Sequence, residues 1–148
     1  MIQKFTKRNI FFAFLVVFAL IQFVGIDKSP IEINPESDFL MIEQAPMEVV
    51  ELMQTSCYDC HSNLTIYPWY SNIAPVSWWL KGHIDNGRGK LNFSEWDSYS
   101  LEESDSLKVL SADLIEKKWM PILTYKIIHT ESRLSDEQRA LLIDWLKK

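Results

Sequence analysis

Both cysteines of the 148-residue chain lie in the stretch Cys57-Tyr58-Asp59-Cys60-His61. Two thiols three positions apart on a helical turn can each form a thioether with one of the two vinyl groups of a porphyrin. The imidazole that follows the second thiol then lies beneath the iron as its proximal ligand. The motif therefore predicts one covalently attached haem c, bound by Cys57, Cys60 and His61, with His61 as an iron ligand.

Three other kinds of cysteine site fit the sequence less well. A structural zinc site needs four closely spaced ligands. The remaining histidines, His83 and His129, lie far from the cysteines in sequence and match no zinc-finger pattern. A redox-active disulfide of the thioredoxin type occurs in a βαβ context, of which the sequence shows no sign. A structural disulfide between these cysteines would close a very small loop and add little stability.

The distal iron ligand is predicted to be Met120. Haem c in electron carriers has Met or His on its distal side. Met120 precedes Pro121 between the last two predicted helices, and the proline stops the helix and turns the methionine side chain out of it. His83 and His129 remain alternative ligands, and a packing role for Met120 also remains open. The methionines before the motif are typical of helix packing: Met41, Met47 and Met53.

The first 28 residues are predicted to form a membrane anchor. Lys4, Lys7 and Arg8 precede an apolar run at residues 10–26, which is seventeen residues long and interrupted only by Gln22. This length is at the short end for a membrane-spanning helix, and the basic flank favours a cytoplasmic N-terminus. A cleaved signal peptide is the alternative, although no small-residue cleavage site follows the run. We expect a single-pass protein of the bacterial inner membrane, with its haem domain in the periplasm.

The remainder is predicted to be an all-α domain at residues 38–148, joined to the anchor by a tether at residues 29–37. Apolar periodicity predicts helices over about residues 46–56, 76–84 and 101–118. The turn Gly87-Arg88-Gly89 is expected to end the second of these helices. The last helix is the clearest, because Ser135 and Gln138 have the spacing of a capping box and Leu134 precedes them.

Charge excludes one class of partner. The chain has a net charge of −5, and residues 29–148 carry 11 Lys and Arg against 19 Asp and Glu. Binding to nucleic acid requires clustered cations, so nucleic acid is not an expected partner. An acidic surface favours a redox partner protein that presents a basic patch.

Aromatic residues are abundant near the motif, and their flat rings suit the walls of a porphyrin site, although they fill any core equally well. Four side chains are candidate hydrogen-bond donors to haem propionates: Arg88, Trp69, Trp78 and Tyr70.

The chain resembles the bacterial haem-binding domain family, whose members are small proteins related to cytochrome c. The resemblance extends over about residues 35–147. Its matching stretches are Cys57-Tyr58-Asp59-Cys60-His61-Ser62-Asn63 with Thr65, Tyr67-Pro68-Trp69-Tyr70, Ile73-Ala74-Pro75, Ser77-Trp78, His83 with Gly87-Arg88, Leu91-Asn92-Phe93-Ser94 with Trp96, and Met120-Pro121. The resemblance implies a membrane-tethered, cytochrome c-like helical domain around one haem.

We expect the protein to transfer electrons through its haem while both axial ligands stay bound. No pairing of a nucleophile with a base is recognisable in the sequence, so we do not expect an enzyme. The alternative is a haem-based sensor or small peroxidase-type protein, in which the distal position is open or its ligand is easily displaced. A haem-free interaction module is a third possibility.

Overall fold

The computed structural model describes residues 6–148. These residues form eight α-helices and four short 3-10 helices, with no strand among them, which confirms the predicted all-α class. The α-helices are α1 (Lys7–Ile21), α2 (Phe39–Ile42), α3 (Met47–Ser56), α4 (Tyr58–His61), α5 (Val76–Lys90), α6 (Leu101–Glu116), α7 (Leu123–Ile128) and α8 (Asp136–Leu146). The 3-10 helices are Pro35–Ser37, Trp69–Asn72, Phe93–Ser98 and Thr130–Ser132.

Helix α1 is shorter than the apolar run that predicted a membrane anchor. It has 15 residues and ends at Ile21, because the Gln22 side chain donates to the carbonyls of Phe18 and Ala74 and accepts from the Ala74 backbone N–H. A helix of this length rises about 22 Å, whereas the hydrocarbon core of a bilayer is about 30 Å thick.

Among residues 6–148, no helix has both the length and the apolar character needed to cross a membrane. The predicted N-terminal transmembrane helix is therefore wrong. The single-pass inner-membrane location with a periplasmic haem domain, which depended on that helix, is wrong for the same reason. Lys4 of the predicted basic flank lies outside the described residues.

The chain forms two compact units, and the first combines residues 6–29 with residues 67–83. Within it, the Trp78 indole N–H donates to the carbonyl of Val24 at 2.9 Å, and Lys28 donates to the side chain of Asn72 at 2.7 Å. The predicted boundaries at residues 28 and 37 stay predictions.

The second unit combines residues 30–66 with residues 84–148 and contains the hydrophobic core. Helix α6 packs against α8, and α3 packs against both α4 and α8. Phe39 is fully buried at the centre, where its ring lies 5.1 Å from that of Phe93 and 4.3 Å from that of Trp96. This arrangement places the cysteine-bearing turn, α4, directly on the core.

The predicted helix ends agree with the structure in part. Ser135 and Gln138 form the predicted capping box of α8, and the helix over residues 101–118 is present as α6. The turn Gly87-Arg88-Gly89 does not end its helix, because α5 continues through these residues to Lys90.

Gly87 is where α5 meets the cysteine-bearing turn. A Cβ atom built on Gly87 would overlap the carbonyl oxygen of Cys60, whereas a Cβ atom on Gly89 would have no neighbour within 4 Å. Only glycine therefore allows the α5 backbone to lie this close to α4.

Replacement of Gly87 by alanine is expected to lower the free energy of unfolding by about 1–3 kcal/mol, because the added methyl group must displace one of two packed backbones. The matched variant Gly89→Ala should be neutral or stabilising by up to about 1 kcal/mol, since alanine is the better helix former. Urea unfolding of the haem-loaded protein, followed by circular dichroism, measures both. Equal free energies of unfolding of the two variants would show that a methyl group at position 87 does not disturb the contact with Cys60.

Candidate functional site

The two thiols and the imidazole of the motif lie on one helical turn. Helix α3 ends at Ser56 and α4 begins at Tyr58, with Cys57 between them. The N–H groups of Cys60 and His61 both donate to the carbonyl of Cys57. Tyr58 faces the opposite way, into the core. Its hydroxyl donates to the Asp38 carboxylate at 2.9 Å, and this buried contact holds the turn against the core.

The ring of His61 is oriented by a backbone carbonyl. Its Nδ1 atom lies 3.1 Å from the carbonyl oxygen of Leu91. A carbonyl only accepts, so Nδ1 carries the hydrogen and Nε2 keeps its lone pair in the neutral ring. Burial lowers the pKa of His61 below its usual value, and hydrogen bonds to the carbonyls of Leu91 and Gly87 offset part of this effect. Histidines that ligate metals are oriented in the same way by an N–H donated to a carbonyl or carboxylate.

Beside His61 lies a cavity with mostly apolar walls. Its enclosed volume is about 70 Å³, and the space free of protein atoms reaches about 480 Å³ only when the open solvent at its mouth is included. The enclosed volume is smaller than the roughly 300–1,000 Å³ of small-molecule and cofactor sites. The walls come from α3, α6 and α8 and from the segment around Leu91, with Met53, Phe93, Leu114 and Leu146 among the apolar members.

The cavity brings together three of the four predicted binding residues. Cys57, His61 and Met120 all line it, and Pro121 lies beside Met120. Cys60 is half-buried but is not among the lining residues. The roles assigned to these four residues stay predictions, because their shared location does not show what they bind.

Met120 reaches the cavity through an unusual end of α6. Lys118 has a φ of +59°, in the left-handed region that glycine normally occupies. The backbone N–H groups of Trp119 and Met120 then both donate to the carbonyl of Leu114. The chain thus folds back over the last turn of α6, and Met120 lies at the cavity.

The two alternative distal ligands belong to different compact units. His83 belongs to the first compact unit, where its Nδ1 lies 2.9 Å from the carbonyl oxygen of Trp79. His129 lies in the second unit, where its ring stacks on Tyr125 and its Nδ1 is 3.1 Å from a Glu131 carboxylate oxygen. The His129 imidazole does not line the cavity beside His61, which belongs to the same unit.

The thiols do not have the character of reactive cysteines. Burial raises the pKa of Cys57 to about 12 and that of Cys60 to about 11. Thioredoxin-type cysteines have a lowered pKa instead, so the structure gives no support to that alternative. In residues 6–148, no cluster of three or more His, Cys, Asp or Glu side chains is arranged to hold a metal ion.

Polar contacts around the motif include several that sequence reasoning missed. Arg88 donates from Nε to the carbonyl of Ser62 at 2.7 Å and from Nη2 to the Thr65 hydroxyl at 2.6 Å, and its role as a propionate donor stays a prediction. Tyr125 donates to Asp59, the residue between the two cysteines, at 2.7 Å. The residue type of Arg88 could have indicated a hydrogen-bond donor to the segment after the motif. The Leu91 carbonyl could not be predicted as the partner of His61, because every residue has a backbone carbonyl.

The residues present fit a haem. An imidazole with a free Nε2, two thiols beside it and a thioether at the same cavity are donors that iron and porphyrin accept. The apolar walls suit a flat macrocycle.

A family model described as a haem-binding domain matches residues 16–148. No curated protein and no solved structure matches the chain. The match covers the cysteine-bearing turn, the cavity and the segment that carries Met120. The chain therefore belongs to the haem-binding domain family, and haem is its cofactor.

Proposed function

We propose that the protein is a c-type cytochrome that carries one covalently attached haem and transfers single electrons. The observation that carries this proposal is the shared cavity of Cys57, His61 and Met120, in which the hydrogen bond to Leu91 leaves Nε2 of His61 available. This geometry offers one nitrogen ligand and one sulfur ligand to iron, beside a thiol of the attachment motif.

The cysteines would form the covalent links. Each thiol adds across a vinyl group, with the sulfur bonding to one carbon and the hydrogen to the other, so that no oxidant is consumed. The helical bonds from Cys60 and His61 to the carbonyl of Cys57 hold the two sulfurs and the imidazole on one turn.

His61 and Met120 would be the two axial ligands. The Leu91 carbonyl fixes the rotation of the His61 ring, and the turn at Lys118 holds the Met120 backbone. Bound haem supplies a one-electron couple between ferric and ferrous iron. Because both protein ligands are held by their own backbone contacts, they can stay in place while the charge changes. We infer a carrier of electrons and not an enzyme.

The redox partner is proposed to present a basic patch. The chain has a net charge of −5, and α6 exposes Glu102, Glu103 and Asp105 along its first turns. Complementary charge accelerates the encounter of two proteins, and this acceleration weakens as salt rises.

Covalent attachment predicts that haem remains with the polypeptide under denaturing conditions. The full chain, expressed with the machinery for c-type maturation, should give a haem-stained band after denaturing electrophoresis. The double variant Cys57→Ser, Cys60→Ser should lose the stain because both links are absent, whereas His83→Ala should keep it. Extraction of the haem by acid–acetone from the unaltered protein would contradict covalent attachment.

Distal ligation by Met120 predicts a change of spin state when its sulfur is removed. Met120→Ala should convert the haem from low spin to high spin and abolish the weak red absorption band of methionine-ligated ferric haem. Met47→Ala is the matched control, because Met47 is exposed on α3. His83→Ala and His129→Ala should also keep the low-spin spectrum.

The same spectra discriminate the proposal from its alternative. A low-spin Met120→Ala variant beside a high-spin His83→Ala variant would show that the distal assignment is wrong. Ready binding of carbon monoxide or cyanide by the resting protein at neutral pH would instead favour a sensor or peroxidase-type protein with an open distal site.

A further inference from the structure

Arg139 is a buried cation next to the cavity. It lies on α8 with 7% of its surface exposed, although charged side chains are almost never fully buried unless they are paired. Among residues 6–148, no carboxylate forms an ion pair with it. The nearby Asp136 carboxylate is exposed and is bound at 2.8 Å by Lys118.

The Arg139 guanidinium is held by two backbone carbonyls. Its Nη1 donates to the carbonyl of Ile115 at 3.0 Å and to the carbonyl of Met120 at 3.2 Å. Both of these residues line the cavity beside His61. One side chain thus joins the last turn of α6 to the segment that carries the predicted distal ligand.

This contact adds a side-chain bond to the backbone hydrogen bonds that fold the chain back after α6. Between α6 and α7, the backbone N–H of Met120 donates to the carbonyl of Leu114, and the carbonyl of Met120 accepts from Arg139. The turn also contains Lys118 in the left-handed region, a conformation that costs a non-glycine residue free energy. A charge-assisted hydrogen bond from a rigid guanidinium is well suited to keep this turn in one arrangement.

We propose that Arg139 is the positioning residue of the distal segment and that its buried charge raises the reduction potential of the haem. This inference rests on the proposed function, because it requires haem in the cavity with Met120 as a ligand. Reduction lowers the positive charge of the haem by one, so a nearby buried cation favours the reduced form. Burial limits screening by water and salt, so the effect is larger than that of a surface charge.

Three substitutions of Arg139 separate its charge from its hydrogen bonds. Arg139→Lys keeps the charge but loses the planar fork, Arg139→Gln keeps an N–H donor but loses the charge, and Arg139→Met loses both. Arg133→Met is the matched control, because Arg133 is exposed yet also donates to a backbone carbonyl, that of Lys126 at 2.7 Å.

The haem-loaded variants are compared by spectroelectrochemical titration and by the red absorption band of methionine ligation. Arg139→Gln and Arg139→Met should show at least a tenfold lower ratio of ferrous to ferric haem at a fixed potential, which corresponds to about 59 mV for one electron. Arg139→Lys and Arg133→Met should stay close to the unaltered protein in this ratio. Arg139→Met should also bind cyanide readily, because Met120 is no longer held.

Two results would overturn the proposal. One is an unaltered potential and absorption band in both Arg139→Gln and Arg139→Met. The other is an equal fall of the potential in Arg139→Lys and Arg139→Gln, which would remove the charge as the cause. If Arg139→Met does not fold, the difference in potential between Arg139→Lys and Arg139→Gln tests the proposal. Failure of the proposed function is distinct, since it appears as missing covalent haem or as an unchanged Met120→Ala spectrum.

Discussion

The end of α5 holds the cysteine-bearing turn through contacts from two of its last residues and from the residue that follows the helix. Gly87 brings its backbone against the carbonyl of Cys60, and the carbonyl of Leu91 binds Nδ1 of His61. Arg88 binds the chain just after the motif. Because Gly87, Arg88 and Leu91 lie within five positions of one another, the orientation of the imidazole depends on the position of one helix end. The same position leaves Nε2 of His61 without the hydrogen that Nδ1 carries.

The candidate site residues could be predicted from sequence because they are particular side-chain types at a fixed spacing. Cys57, Cys60 and His61 are recognisable as a set, and Met120 is marked by the proline after it. The partner of His61 could not be predicted, since a backbone carbonyl has no residue type. The haem-binding family is established for the chain, and the ligand roles of these residues remain predictions.

Two errors of the sequence interpretation have the same physical origin. Glycines at positions 87 and 89 are typical of a turn, yet α5 continues through them, because the first glycine serves a close contact with Cys60. A single Gln22 within an apolar run is compatible with a longer helix, yet α1 ends at Ile21, and the Gln22 side chain forms hydrogen bonds with the backbone of Ala74, 52 positions away. Local patterns contain no information on such distant partners. The capping box of α8 was predictable for the opposite reason, since both of its members lie within four residues.

The crowding of the cysteine-bearing turn bears on how the protein is made. In the folded chain, the sulfur of Cys57 lies 3.9 Å from that of Met53, Gly87 covers the carbonyl of Cys60, and Tyr125 binds Asp59 from the far side of the sequence. A turn enclosed on these sides leaves little room for an assembly enzyme. If haem is attached covalently as proposed, the links form more easily while this segment is still unfolded, and the chain then folds around the attached haem.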